Sequence, residues 1–167
     1  MTGGITNSGT ITATQYGIGV SRSKVQAGLN NSGSIAGGTV GLSLNSFTTT
    51  AGTITSTYGS TISGGLTNTG VIAGGSYSVS VSGSSALDRI VIAGNNTAQF
   101  NGDVNAPNTP VTIAGGSTYT MGGANFTVSG FNNSGVLVVA SGVAKTITGT
   151  GGTSNYTQAA DATYRVL

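Results

Sequence analysis

Four stretches of this chain are near copies of one another: ITNSGTITA at 5–13, LNNSGSIAG at 29–37, LTNTGVIAG at 66–74 and FNNSGVLVV at 131–139. Each sets Asn-Ser/Thr-Gly between two apolar positions. Asn and Gly form turns, because Gly takes φ > 0 without steric cost and Asn tolerates it. The flanking aliphatics keep a fixed offset from the glycine: Ile5 and Ile11, Leu29 and Ile35, Leu66 and Ile72. A strand–turn–strand unit recurring with like residues in like places marks a solenoid, whose units contact only their neighbours. The copies align on Gly9, Gly33, Gly70 and Gly135, and TTTAGTITS at 48–56 reads as a weaker copy with Gly52 in the same role. Spacings then run 24, 19 and 18 residues from Gly9 to Gly70. A period near twenty predicts about eight turns, a rod near ~40 Å long at ~4.8 Å per turn.

Between the turns the chain alternates. Tyr16, Ile18 and Val20 share one parity, as do Tyr77, Val79 and Val81, so one strand face is buried and the other wet. No stretch has a helical period, and VSRSKVQAGL at 20–29 reads as a strand over 25–29. An antiparallel sandwich could use such strands. The repetition of the turns themselves, and the fixed offsets of the aliphatics, favour a parallel β-helix instead. Stacked in parallel, the units set Ile over Leu inside, Asn7 near Asn31 at a corner, and Thr outside. Asn7, Gly9, Asn31, Gly33, Asn68, Gly70, Asn133 and Gly135 are therefore the expected corner ladder, with the amides hydrogen-bonded in a row.

Composition narrows the function. Only eight residues are charged, five Lys/Arg and three Asp, in a chain with 30 glycines and no His, against roughly 25% charged in ordinary domains. Steadily recurring Ile, Val and Leu, together with β-branched Thr, argue for ordered strands over a disordered Gly/Ser tract. The pI of 9.2 reflects two extra cations. Nucleic-acid binding calls for a basic stripe with interleaved aromatics, and this chain has Arg22 and Lys24 as its one close basic pair. Catalysis needs groups that move protons, attack carbon or hold metal. With Asp88, Asp103 and Asp161 far apart, no Cys and no Glu, the expectation is a non-enzyme with no cofactor or metal. The longest continuous apolar run, 136–140, has five residues, far short of the ~20 that cross a bilayer; no membrane insertion is expected. MTGGITNSG has no basic segment followed by an apolar one, so the chain reads as an excised part of a longer protein whose export signal lies elsewhere.

Repeats of the ITNSGTITA and LTNTGVIAG type resemble the passenger regions of bacterial autotransporters, the self-associating adhesin type. ALDRIVIAGNNTAQFNGDV at 86–104 looks like such passengers where regular repeats give way. GVLVVASGVAKTITGTGGTSNYTQAADATYRVL at 135–167 is similar to their last rungs before the linker to a membrane barrel. The resemblance implies an all-β, right-handed parallel β-helix: repetitive rungs over 1–85, less regular rungs over 86–110, and C-terminal passenger rungs over 111–167 that assist folding during export. It implies display on a Gram-negative cell surface by a barrel this chain lacks. The function implied is adhesion or self-association through lateral contacts. Its partners would be copies of the chain itself and host or neighbouring-cell surface molecules. Two other readings compete. A solenoid with open strand edges can stack end to end into fibres. A Thr array built from Thr10/Thr12, Thr53/Thr55, Thr118/Thr120 and Thr146/Thr148 could match ice, although the intervals between these pairs are not multiples of one turn.

Overall fold

The structure, a computed structural model, describes residues 1–140, 144–150 and 156–167, and every helical or strand element among them is a β-strand. The strands wind into a parallel β-solenoid of about six turns. Its first wall stacks Ile5–Asn7, Leu29–Asn31, Leu66–Asn68, Ile90–Ile92, 111–113, 131–133 and Tyr156–Gln158 in register. The second stacks Thr10–Ala13, Ser34–Gly37, 71–74 and 99–101. It resumes as Thr118–Met121, Val136–Val139 and Thr163–Val166. The third stacks Tyr16–Ser21, Val40–Asn45, 77–81, 103–106, 126–128 and Ile147–Gly149. A short fourth seam joins Lys24–Val25, Thr61–Ile62 and Ala86–Leu87.

The turns are longer than the glycine spacing suggests. Along the first wall the chain advances 24 residues from Ile5 to Leu29, 37 to Leu66, 24 to Ile90, 21 to Val111, 20 to Phe131 and 25 to Tyr156. Six steps thus take the place of the eight that a uniform period predicts. The long second step has a local cause. TTTAGTITS is not a corner: strands Phe47–Ala51 and Ile54–Tyr58 pair antiparallel as a hairpin, and Gly52 lies in its tip at φ 61°. The expected strand over 25–29 is likewise broken. Gly28, at φ 84°, bends the chain between Lys24–Val25 and Leu29–Asn31, and Gly65, at φ 75°, does the same one turn later.

Inside the tube, like residues stack on like. Ile5, Leu29, Leu66, Ile90, Val111 and Phe131 form one column of the first wall. Ile18, Leu42, Val79, Val104, Phe126 and Ile147 form one on the third. Each fully buried aliphatic contributes about 1.5–3 kcal/mol. From the fourth turn onward the core turns aromatic. Phe126 meets the edges of Phe100, Tyr119 and Phe131 at centroid distances of 6.0, 6.1 and 5.3 Å. The 21- and 20-residue turns supply fewer inward positions, so larger side chains fill the cross-section. Such edge-to-face pairs add about 0.5–1.5 kcal/mol each beyond area burial.

Candidate functional site

The recurring Asn-Ser/Thr-Gly units lie on the first wall and at the corner that follows it. Asn7, Asn31 and Asn68 occupy one inward column and are all buried. Asn7 Nδ2 donates to Asn31 Oδ1 at 2.8 Å, and Asn31 Nδ2 donates to Asn68 Oδ1 at 2.8 Å. Each amide also closes its own corner: Gly9 N–H donates to Asn7 Oδ1 and Gly70 N–H to Asn68 Oδ1. Asn31 Nδ2 reaches Gly33 O and Val71 O. Buried amides satisfied in this way stiffen a corner at little desolvation cost.

Asn133 stands in the same column but apart from the other three, because Ile92 and Ile113 occupy the levels between. It caps its own corner through Gly135 N–H and donates to Tyr156 Oη and Thr163 O. Where Ile replaces Asn, another device turns the chain. Gly94 and Gly116 take φ of 89° and 73°, and Gly94 N–H donates to Ser117 Oγ.

The glycines of the ladder serve a purpose other than positive φ. Gly9, Gly33, Gly70 and Gly135 are absent from the left-handed region that Gly28 and Gly65 occupy. For Gly33, Gly70 and Gly135 that purpose is close stacking on the preceding turn. A Cβ on Gly33 would lie 2.0 Å from Gly9 O, one on Gly70 2.1 Å from Gly33 O, and one on Gly135 2.3 Å from Ser117 O.

The amide ladder faces inward and presents no surface. The outward column beside it does. Thr6, Asn30, Thr67, Val91, Thr112, Asn132 and Thr157 are paired level by level along the first wall. All are exposed or half-exposed, and none is charged. Seven levels at ~4.8 Å make a straight row about 29 Å long. The sequence carried the signal for it: in every copy one residue, Thr or Asn, separates the inward apolar residue from the inward Asn.

The second wall breaks once. Strand 99–101 stacks on 71–73, whereas Thr118 pairs with Asn95 of the fourth turn. A groove of about 380 Å³ opens at this break, lined by Asn96, Gln99, Asn101 and Thr120 with Ala98 and Phe100. Thr120 Oγ1 lies 2.9 Å from Asn96 Oδ1. A second opening of about 380 Å³, lined by Met121, Leu137, Ile147, Tyr156 and Tyr164, sits at the last turns and is mostly apolar.

The acids have structural or solvent-facing settings. Asp103 accepts from the backbone N–H and side-chain amide of Asn125 at 2.9 and 3.1 Å, tying one turn to the next. Asp88 and Asp161 are exposed. Among the described residues no three His, Cys, Asp or Glu gather in a metal-binding arrangement. Tyr119 is buried, and desolvation pushes its hydroxyl pKa well above the usual phenol range. Tyr16, Tyr58, Tyr77, Tyr156 and Tyr164 are exposed. Thr10 and Thr12 lie in the first turn of the second wall and Thr118 and Thr120 where that wall resumes beyond its break, with Thr53 and Thr55 in the hairpin and Thr148 on the third wall, so these Thr-x-Thr pairs do not form one row.

In comparisons with known proteins, no family model, no curated protein and no solved structure matches this chain.

Proposed function

We propose that the chain is a non-catalytic adhesion or self-association module, part of the passenger of an autotransporter, built as a right-handed β-helix and displayed outside a Gram-negative cell by a barrel elsewhere in the protein. One observation carries the reading: the straight, uncharged row from Thr6 to Thr157 on the outer face of the first wall. Each Thr hydroxyl or Asn amide makes a weak contact. A row of them repeated at the strand spacing engages the same row on another molecule many times over, and linked weak contacts multiply. Sparse charge leaves little repulsion to oppose the approach of a second copy. Recognition by this means needs a long flat flank and no pocket chemistry.

Beads coated with the purified chain test the proposal. They should clump in buffer, and clumping should fall at least tenfold when Thr67 and Thr112 are both changed to Glu, which sets like charges along the row. Clumping that is absent in the parent, or unchanged in the double variant, rejects the lateral mode.

A further inference from the structure

The hairpin formed by Phe47–Ala51 and Ile54–Tyr58 stands off the tube. Among the described residues its two strands pair with each other and with no other strand. Nearly all of its side chains are exposed, with Phe47 at 44%, Ile54 at 69% and Tyr58 at 51%. A two-stranded ribbon alone is marginal in water, and three or more strands are needed for stability of its own. The devices that guard strand edges are charged residues, Pro and bulges. From 47 to 58 the hairpin has no charge and no Pro, and its register is unbroken.

The hydrogen-bonding capacity of the free edges follows from the register. With a two-residue tip, Ala51 and Ile54 form a hydrogen-bonded pair, and pairs of the two kinds then alternate. Thr50/Thr55 and Thr48/Thr57 are thus the non-bonded pairs, in which side chains approach most closely. Their hydroxyls do so, at 3.4 and 3.1 Å. The backbone N–H and C=O groups of Thr55 and Thr57 consequently point away from the hairpin, along its outer edge.

That edge is its own complement. Ile54-Thr55-Ser56-Thr57-Tyr58 reads apolar-Thr-Ser-Thr-apolar in both directions. We propose that the 54–58 edge pairs antiparallel with the same edge of a second copy of this chain, about a twofold axis through Ser56. In that register the outward groups of Thr55 meet those of the partner's Thr57, and the reverse, giving four backbone hydrogen bonds. Ile54 faces the partner's Tyr58 on one side of the sheet, and Thr faces Thr on the other. Two marginal ribbons become a four-stranded sheet. The other edge is less free: the Arg22 guanidinium sits 4.6 Å from the Phe47 ring centroid and sets a cation beside it. The contact is isologous, so it closes at two copies. It does not depend on the polar row of the first wall.

Cysteine cross-linking reads the register directly, because the chain has no Cys of its own. Ser56 would face its own copy at a non-bonded pair, where the Cα separation of about 4.5 Å lies within disulfide range. Ser56→Cys should form a disulfide-linked dimer under mild oxidation at least tenfold faster than Thr49→Cys on the opposite strand. Thr57→Pro removes one outward N–H that has no partner within the hairpin; made together with Thr67→Glu and Thr112→Glu, which weaken the lateral contact, it should leave a monomer with an unchanged β spectrum in sedimentation, whereas Thr67→Glu with Thr112→Glu alone should still sediment as a dimer. Equal rates for the two cysteines, faster linkage at position 49, or a parent chain that sediments as a monomer at every concentration would each overturn the proposal. Ser56→Cys linkage that survives Thr67→Glu with Thr112→Glu separates this contact from the lateral one.

Discussion

At the scale of single residues, two kinds of position hold the corners, and they fail differently. Gly9 and Gly70 follow the same Asn-Ser/Thr pair, yet only Gly70 has a backbone oxygen of the preceding turn where its Cβ would be; nothing lies within 4 Å of a Cβ on Gly9. Gly70→Ala should therefore destabilise by several kcal/mol, since backbone must move, while Gly9→Ala should stay within about 0.5 kcal/mol of the parent. Urea unfolding of the two variants checks this, and equal effects would mean that local turn preference matters more than stacking. Asn31 is held from both sides, accepting from Asn7 and donating to Asn68. Asn31→Ala deletes the hydrogen bonds that Asn31 makes to both neighbouring amides, to Gly33 O and to Val71 O in a buried corner, and should cost about 2–4 kcal/mol by the same measurement.

Elements contribute unequally. A strand inside a wall is paired on both sides and filled from within, so its loss propagates to its neighbours. Among the described residues the hairpin is paired only to itself, and the chain on either side of it is already close, with Ser60 Oγ donating to Asn45 O at 2.7 Å. Removing residues 47–58 and joining Ser46 to Gly59 should leave the β spectrum intact and change the unfolding free energy by less than about 1 kcal/mol, chiefly the lost contact of Arg22 with Phe47. A collapse of the fold on this deletion would show that the hairpin is part of the second turn's core.

Across the whole molecule, stability rests on stacked apolar columns and backbone ladders more than on charge. Circular dichroism should give a β spectrum with negligible helix. Tyr119 adds a pH dependence. Its hydroxyl is held protonated in the folded state, so its contribution is fully present below the unfolded phenol pKa of about 10 and is lost as pH rises beyond it toward the higher folded value. Thermal unfolding followed from pH 8 to 12 should show the midpoint falling above about pH 10, and Tyr119→Phe should flatten that fall. An identical decline in both proteins would assign alkaline lability to some other group.

Asn7, Asn31, Asn68 and their glycines are legible as a repeat because a buried corner amide and a close backbone approach tolerate few substitutes. Hence the parallel stacking, the inward aliphatic columns and the outward Thr/Asn row follow from the residues alone. The fourth and fifth turns are not legible in the same way. Ile92 and Ile113 take the Asn position there, and positive-φ glycines do the turning, so no motif repeats. Gly52 misleads for the opposite reason: it resembles a corner, yet Thr50, two residues before it, stands where true copies have Asn. Whether a Thr-rich stretch continues the tube or leaves it as a hairpin depends on what lies one turn above and below. That information is long-range, because in a solenoid the partner of each strand is twenty or more residues away and only the stacked fold brings the two together.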